Sequence, residues 1–225
     1  KMKPFKIIAA LLSVLVLSSC MSGSREYINL DAHTLDVGEV QTILIKVNHG
    51  ELEIFGTEGG QVEVGGQALF PDEIDTQMNK VDDWIDISVQ DQHSGLSENF
   101  VRLKITIPNQ MKIVVDTDRA SVHVQDYQGD LEVASTSGNV IVDNVVGELT
   151  LRSNRGNISV QGCSGKIGVV GNYGTLRMQN NHGVTNVSTI MGTVIFEGMI
   201  DGEDSVELET DHGPVEVNLL SNSTL

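Results

Sequence analysis

Glycines at a regular spacing are the first residues in this 225-residue chain that could carry chemistry. Gly156, Gly165 and Gly174 stand nine residues apart, and short alternating apolar strings separate them. Calcium-binding β-rolls use glycine-rich turns at such intervals, with an aspartate in each turn to supply carboxylate oxygens. The turns NRGN, CSGK and NYGT contain no aspartate. The spacing therefore predicts regular turns of the chain and not a metal site, and we expect no metal ligand and no cofactor.

Carboxylates and histidines could form a catalytic centre only if the fold brought several of them together. On the predicted outer faces, acidic and basic residues occur singly and form no acid–base cluster, so we predict no catalytic residue. No two histidines have the spacing of metal ligands. One acidic group is dense, and we interpret it as a solvated edge, with weak cation binding as the alternative. It comprises Asp201, Glu203, Asp204, Glu207, Glu209 and Asp211.

Cys20 stands where covalent chemistry is expected. Three lysines within the first six residues precede the apolar run IIAALLSVLVL, and LSSC follows it. A run of eleven apolar residues is too short to span a bilayer and is typical of a signal peptide. LSSC resembles the bacterial lipobox, which implies that Cys20 is the acylated first residue of the mature protein; an ordinary secretory peptide is the alternative. We predict a signal peptide at 1–19, a lipid-anchored tether at 20–26, and export to the outer membrane, facing the periplasm or the cell surface.

The overall charge excludes one class of partner. The chain has 31 acidic and 14 basic residues, which gives a formal net charge of −17. Such a surface repels the phosphate backbone, so we predict no binding of nucleic acid. Aromatic residues make up only 4% of the chain, so the core must be aliphatic.

The regularly spaced glycines belong to an 18-residue repeat. Successive units start at Met111, Gly129, Gly147, Gly165 and Gly183. A sixth unit fits if three residues are inserted after Ile200, so that counting restarts at Asp204. Each unit contains two strands of about five residues with apolar residues at alternate positions, as half-buried strands have. Stacking the units would pair each strand in parallel with its equivalents, ~4.8 Å above and below.

This repeat predicts an all-β fold, a right-handed, single-stranded parallel β-helix or β-solenoid with 18-residue coils of two short strands each. The solenoid domain is predicted over 27–225, with regular coils at 111–221. Segments between Tyr27 and Ile107 show a looser form of the pattern and are predicted to form earlier coils. Cys163 falls in a mostly apolar column, which predicts a buried and inert thiol.

Nine glycines are predicted to turn the chain at the corners of the coils. If a corner requires a positive φ, a Gly156→Val substitution is expected to cost about 1–3 kcal/mol. Small hydroxyl side chains, at 117, 135, 153, 189 and 210, are predicted to hydrogen-bond to the corner backbone. The nine are Gly129, Gly138, Gly147, Gly156, Gly165, Gly174, Gly183, Gly192 and Gly213.

Three segments together resemble a known family. VNHGELEI, VRLKITIP and the tandem SGNVIV-type units look like the bacterial putative-adhesin family, over roughly residues 40–221. The resemblance implies a β-helical domain that is often a lipoprotein or otherwise linked to a membrane. It implies no catalytic residue, because the matching motifs are structural.

We therefore expect a non-catalytic, lipid-anchored β-solenoid that acts as a cell-envelope scaffold or an adhesion-type binding module. The predicted partners are the membrane, through the lipid, and an envelope protein or polysaccharide. Two alternatives stay open: a polysaccharide-active enzyme on a β-helix, and a self-assembling envelope filament. The filament would form by end-to-end association, because a solenoid end without a polar cap tends to pair.

Overall fold

A computed structural model describes residues 26–92 and 100–220 and shows an all-β protein. In these ranges one short 3-10 helix occurs at Pro71–Glu73, and hydrogen bonds join the strands into one sheet. The strands are β1 (Ile28–Asn29), β2 (His33–Asp36), β3 (Thr42–Thr57), β4 (Gln61–Ala68), β5 (Ile74–Val81), β6 (Trp84–Asp91), β7 (Val101–Pro108), β8 (Lys112–Gln128), β9 (Leu131–Ser135), β10 (Val140–Ser153), β11 (Ile158–Gln161), β12 (Ser164–Gln179), β13 (His182–Gly198), β14 (Ser205–Thr210) and β15 (Val215–Leu219).

From β8 onwards, the strands pair in parallel, and the offset along the chain between facing residues is constant. Ile158, for example, faces Val140 on one side and Leu176 on the other. The offset becomes wider by three residues at β14 and β15, where Val184 faces Ser205. The pairing therefore follows the 18-residue repeat and the three-residue insertion that the sequence predicts. We call each such unit a coil.

Aliphatic side chains from alternate positions fill the interior of the stack. In each coil from β8 to β13, most inward residues of both strands are almost fully buried, whereas their neighbours in the chain point outward. Two aromatic residues, Tyr127 and Phe196, are buried among them. The Tyr127 hydroxyl donates to the Met111 carbonyl, so its polar atom has a partner, and burial raises the pKa of Tyr127 above its usual value. The low aromatic content therefore still supplies two large core residues.

The N-terminal strands are not stacked in the order in which the chain visits them. β3 lies between β8 on one side and β6 with β7 on the other, and all these pairs are parallel. Glu53 of β3, for example, faces His123 of β8 and Lys104 of β7. The earlier coils predicted between Tyr27 and Ile107 are thus present only in part. Although β6 and β7 follow β3 in the chain, they lie on the side of β3 that is opposite to β8.

Antiparallel strands cover the outer edges of β6 and β7. β5 pairs with β6, β4 pairs with β7, and β1 and β2 pair with β4. This part differs from the wholly parallel arrangement predicted over 27–225. One physical reason is the two-residue turn between Val81 and Trp84, which can only return the chain antiparallel. Asp82 in this turn has a φ of 48°, the conformation that tight hairpins favour.

Each predicted corner glycine allows two neighbouring coils to approach closely. A Cβ built at Gly156 would lie under 3.0 Å from the carbonyl oxygen of Gly138, its equivalent one coil earlier. The other eight predicted corner glycines would meet the equivalent carbonyl oxygen in the same way. Gly156 does not have a positive φ, so close approach, and not the predicted backbone conformation, excludes a side chain there. At Gly165 both the close approach and the backbone conformation exclude a side chain, because its φ is +121°.

Small hydroxyl side chains satisfy the backbone at three corners. Thr117, Ser135 and Ser153 each accept a hydrogen bond from the backbone N–H three residues later, at 3.0, 2.9 and 2.8 Å. The Oγ1 atoms of Thr189 and Thr210 are buried without a hydrogen-bond partner among the described residues. The predicted corner bonds are therefore confirmed in the first three coils and wrong in the last two.

Candidate binding groove

The predicted lipidation site, Cys20, lies outside the described residues, as does the predicted signal peptide. Its acylation stays a prediction from the sequence. Residues 26–92 and 100–220 contain no helix that is long and apolar enough to cross a membrane.

Cys163, the other cysteine, is a core residue. Its side chain is fully buried, its backbone N–H donates to Oδ1 of Asn181 at 2.9 Å, and its Sγ lies 3.4 Å from the donating N–H of Val145. Burial raises the pKa of the thiol to about 11, so the thiol is protonated at neutral pH. A protonated, buried thiol is a poor nucleophile, which agrees with the inert cysteine predicted from its column.

Three histidines pair with carboxylates, each at a different place in the fold. The pairs are His49–Asp91 at 3.1 Å, His123–Asp143 at 2.8 Å and His182–Asp204 at 3.4 Å. The sequence does not reveal these pairs, because stacking brings together residues that are far apart in the chain. Among the described residues, no group of three or more His, Cys, Asp or Glu side chains is arranged to hold a metal ion.

The dense acidic segment near the last coil contains a turn-forming aspartate. Asp204 accepts backbone hydrogen bonds from Gly183 at 2.6 Å and from Asp201 at 3.2 Å. These donors hold the pKa of Asp204 below its usual value. Asp204 thus stabilises the turn where three extra residues enter the repeat, which is a structural role.

A groove of about 560 Å³ lies on the outer face of the N-terminal strands. Strands β3, β4 and β7 and the segment that joins β1 to β2 line it. Because β7 lies between β4 and β3, alternate residues of these three strands project in the same direction. The outward side chains at the groove are Glu51, Glu53, Glu63, Gln67, Arg102, Lys104 and Thr106.

Two contacts fix the guanidinium group of Arg102 at one wall of the groove. Its Nε donates to Oε2 of Glu51 at 3.0 Å, and its central carbon lies 4.3 Å from the ring centroid of Tyr27. Both members of this ion pair are about half exposed, so the pair contributes little to stability. Its effect is to orient the guanidinium, whose terminal N–H groups donate to no side chain of the described residues.

Lys104 places a second cation in the groove. Its Nζ lies 4.7 Å from the ring centroid of Phe55, within the range of a cation–π interaction. On the sheet it stands between Glu53 of β3 and Gly65 of β4. Lys104 forms no ion pair with any described residue, so its charge is available to a ligand.

Gly65 keeps the groove open beside Lys104. A Cβ built at Gly65 would have no heavy atom within 4 Å, and its φ is not positive. Neither packing nor backbone conformation therefore requires a glycine at this position. The neighbouring Gly66 differs, because a Cβ there would contact the carbonyl oxygen of Arg102.

The remaining lining groups are polar acceptors and donors. Gln67 donates through Nε2 to Oδ1 of Asn29 at 3.0 Å. Within the described residues, Glu53 and Glu63 take part in no side-chain hydrogen bond or ion pair. The lining residues include no histidine, cysteine or serine. This chemistry suits the binding of a polar ligand.

The groove was not predicted from the sequence. The regular repeat begins at Met111, so its columns do not extend to the strands that line the groove. The alternation of Glu51 and Glu53 with buried Leu52 could have identified an outward polar face. The lateral order β4–β7–β3, which assembles the groove, has no counterpart in the spacing of the sequence.

Known proteins were compared with this chain by sequence and by fold. No protein-family model matches the chain, and no curated protein matches it. A putative cell adhesion protein from Clostridium sporogenes is similar with a TM-score of 0.46 and 10% identity, covering 87% of this chain and 100% of that one. A putative adhesin from Bacteroides fragilis has a TM-score of 0.45 and 16% identity, covering 86% of this chain and 98% of that one.

Both structures are described as putative adhesion proteins. A third structure, a putative lipid binding protein from Parabacteroides distasonis, has a TM-score of 0.30 and 13% identity, covering 83% of this chain and 96% of that one. The three structures are what this chain is similar to.

Proposed function

We propose that this chain is an exported, lipid-anchored β-solenoid that serves as an adhesion-type binding module of the bacterial cell envelope. The observation that carries the binding role is the groove at Arg102 and Lys104, which combines oriented cations, free carboxylates and an open floor. The parallel pairing of β3 with β7 and β8 supports a solenoid that positions these side chains.

A non-catalytic role is supported by the dispersion of reactive groups. The three histidine–carboxylate pairs lie on different strands, and the described residues form no metal-ligand cluster. Lys166 pairs with Glu148 at 2.7 Å and Arg102 with Glu51 at 3.0 Å, so two outward carboxylates already have cationic partners. The polysaccharide-active enzyme stays the alternative, because Glu53 and Glu63, which are unpaired among the described residues, both line the groove.

Self-association is the second candidate, and exposed residues of β15 favour it. Val215, Val217 and Leu219 are exposed by 41, 54 and 59%. Strand β14, which precedes β15 in the chain, carries Glu207 and Glu209. These like charges on two copies of the chain would repel each other at low ionic strength. The binding module is for this reason the preferred function.

Membrane anchoring is tested by a Cys20→Ser substitution in the full chain. We expect the variant to move from the membrane fraction to the soluble fraction, because a serine cannot carry the thioether-linked lipid. Several acyl chains at one residue would anchor durably, since each buried CH₂ contributes about 0.8 kcal/mol. Cell fractionation followed by immunoblotting measures the distribution.

Cys163→Ala is the matched control, because it removes the buried cysteine and should leave the membrane fraction unchanged. If the Cys20→Ser protein stayed with the membrane, lipid anchoring at this residue would be wrong. The binding role of the groove would be untouched by that result.

A further inference from the structure

We infer that the groove binds a short oligosaccharide that is uncharged or carries free amino groups. The inference rests on the proposed function, since it names the ligand class of the same groove. Four features of the described residues lead to it: the fixed polar pairs, the balance of charge, the flanking rings and the absence of a free strand edge.

The fixed polar pairs suit vicinal hydroxyl groups. Arg102 is oriented by Glu51, and Gln67 is oriented by Asn29. Each pair presents donors and acceptors side by side, and a sugar hydroxyl both donates and accepts. Because these side chains are already ordered, a ligand that uses them loses little additional side-chain entropy.

The charge balance excludes anionic polymers. Three carboxylates, Glu51, Glu53 and Glu63, face two cations, Arg102 and Lys104, and the whole chain carries −17. A uronate or phosphate polymer could pair with Arg102 and Lys104 but would meet net repulsion from the three carboxylates and from the chain as a whole. A free amino group would instead find Glu53 and Glu63, which have no cationic partner among the described residues.

Aromatic rings flank the cations on the same face. Arg102 lies over Tyr27, and Lys104 lies near Phe55. Both rings lie outside the residues that line the groove, so a sugar ring would pack against them at the edge of the groove. Among the described residues of the later coils, Tyr173 is the one exposed aromatic side chain, whereas two rings lie beside cations on the N-terminal strands.

A protein ligand fits the groove less well. β7 is paired with β3 and β4, and β4 is paired with β1, β2 and β7, so these strands offer no free edge to an added strand. Val64 and Leu103 contribute to the lining but are only 2% exposed, so no deep apolar pocket receives an anchor side chain. The volume of about 560 Å³ is that of a small-ligand site.

The test compares two leucine substitutions in the full chain, purified in detergent. Gly65→Leu places a side chain in the groove, whereas Gly60→Leu adds the same side chain outside the groove lining. A Cβ at either glycine has no heavy atom within 4 Å, so both variants should keep the wild-type melting temperature. The probes are tetraglucosamine, tetra-N-acetylglucosamine, cellotetraose and tetragalacturonate, titrated by calorimetry.

We expect at least one of the first three probes to bind, and tetragalacturonate to bind more than about tenfold more weakly. Gly65→Leu should weaken that binding by about tenfold or more, and Gly60→Leu should change it by less than about twofold. Binding of tetragalacturonate alone, or of none of the four probes, would overturn the inference. Equal affinity in Gly65→Leu and wild type would also overturn it.

A separate measurement distinguishes failure of the ligand class from failure of the proposed function. Envelope protein captured by the wild type and lost with Gly65→Leu, without any oligosaccharide binding, would overturn the inference and keep the binding module. Capture of no envelope protein or polysaccharide by the wild type would overturn both.

Discussion

Replacing Gly165 with valine is expected to lower the free energy of unfolding by about 3 kcal/mol or more. The φ of +121° is one that side-chain-bearing residues rarely adopt, and a Cβ would lie under 3.0 Å from the carbonyl oxygen of Gly147. That oxygen belongs to the backbone, so relief would require the two coils to separate. Urea unfolding followed by circular dichroism measures the loss.

Gly168→Val is the matched control three residues away on the same strand. Its φ is not positive, and a Cβ there would lie 3.7 Å from the carbonyl oxygen of Leu149, an ordinary contact. A β-branched residue within a strand should leave the stability equal or raise it by about 0.5–1 kcal/mol. Equal losses in both variants would show that close approach at the corner is not the cause.

Deleting one whole coil is expected to leave a folded protein, and deleting half a coil is expected to destabilise the protein further. Removing residues 147–164 joins Val146 to Gly165 and keeps every later strand in its column, because the deleted segment is one full repeat of the strand register. The shortened stack should melt at a lower temperature, since each coil is stabilised by its neighbours.

Removing residues 156–164 takes away nine residues and brings first strands against second strands. Glycines and the apolar residues of the strands also recur every nine residues, so they would still align, but the polar Asn172 would take the place of the buried Cys163 beside Val145. Thermal unfolding monitored by circular dichroism compares the two. A half-coil deletion that melts no lower than the whole-coil deletion, or a whole-coil deletion with no cooperative transition, would contradict the coil length.

The regular coils could be predicted from the sequence because their contacts repeat with the chain. Ile158 and Leu176 face each other since both occupy the same column, so column identity alone fixes the partner. The three-residue insertion could be placed for the same reason. One detail of these coils was predicted wrongly, the hydrogen bonds at two corners. Thr189 and Thr210 share the column of Ser153, yet their hydroxyl groups have no partner among the described residues.

The N-terminal strands could not be predicted in this way because their partners are not at a constant distance along the chain. Glu53 faces Lys104 on one side and His123 on the other, at separations that no repeat encodes. The groove depends on this order, since it requires β4 and β7 beside β3. A periodic pattern therefore predicts the scaffold, whereas the candidate site arises where the periodicity ends.

The non-sequential order also explains how a repetitive scaffold can carry one distinct surface. Each regular coil presents scattered polar residues, and several of its outward charges are paired across coils, as in Lys166–Glu148 and Arg152–Glu132. At the N-terminal end, the antiparallel strand β4 brings Gly65 and Gln67 alongside β7. This irregular addition creates the groove and brings its polar side chains together.

The fold and the groove both require that β3 lies between β7 and β8, and spin-label distances test this strand order most directly. Glu216→Cys carries one nitroxide in a Cys163→Ala background, and the second is placed in turn at His123, Glu53 and Lys104. These residues lie along one row of facing positions.

With ~4.8 Å between strands, pulsed electron resonance should give about 24, 29 and 34 Å for His123, Glu53 and Lys104 in that order. A shorter distance to Lys104 than to Glu53 would place β7 next to β8. That result would contradict both the fold and the groove built on it.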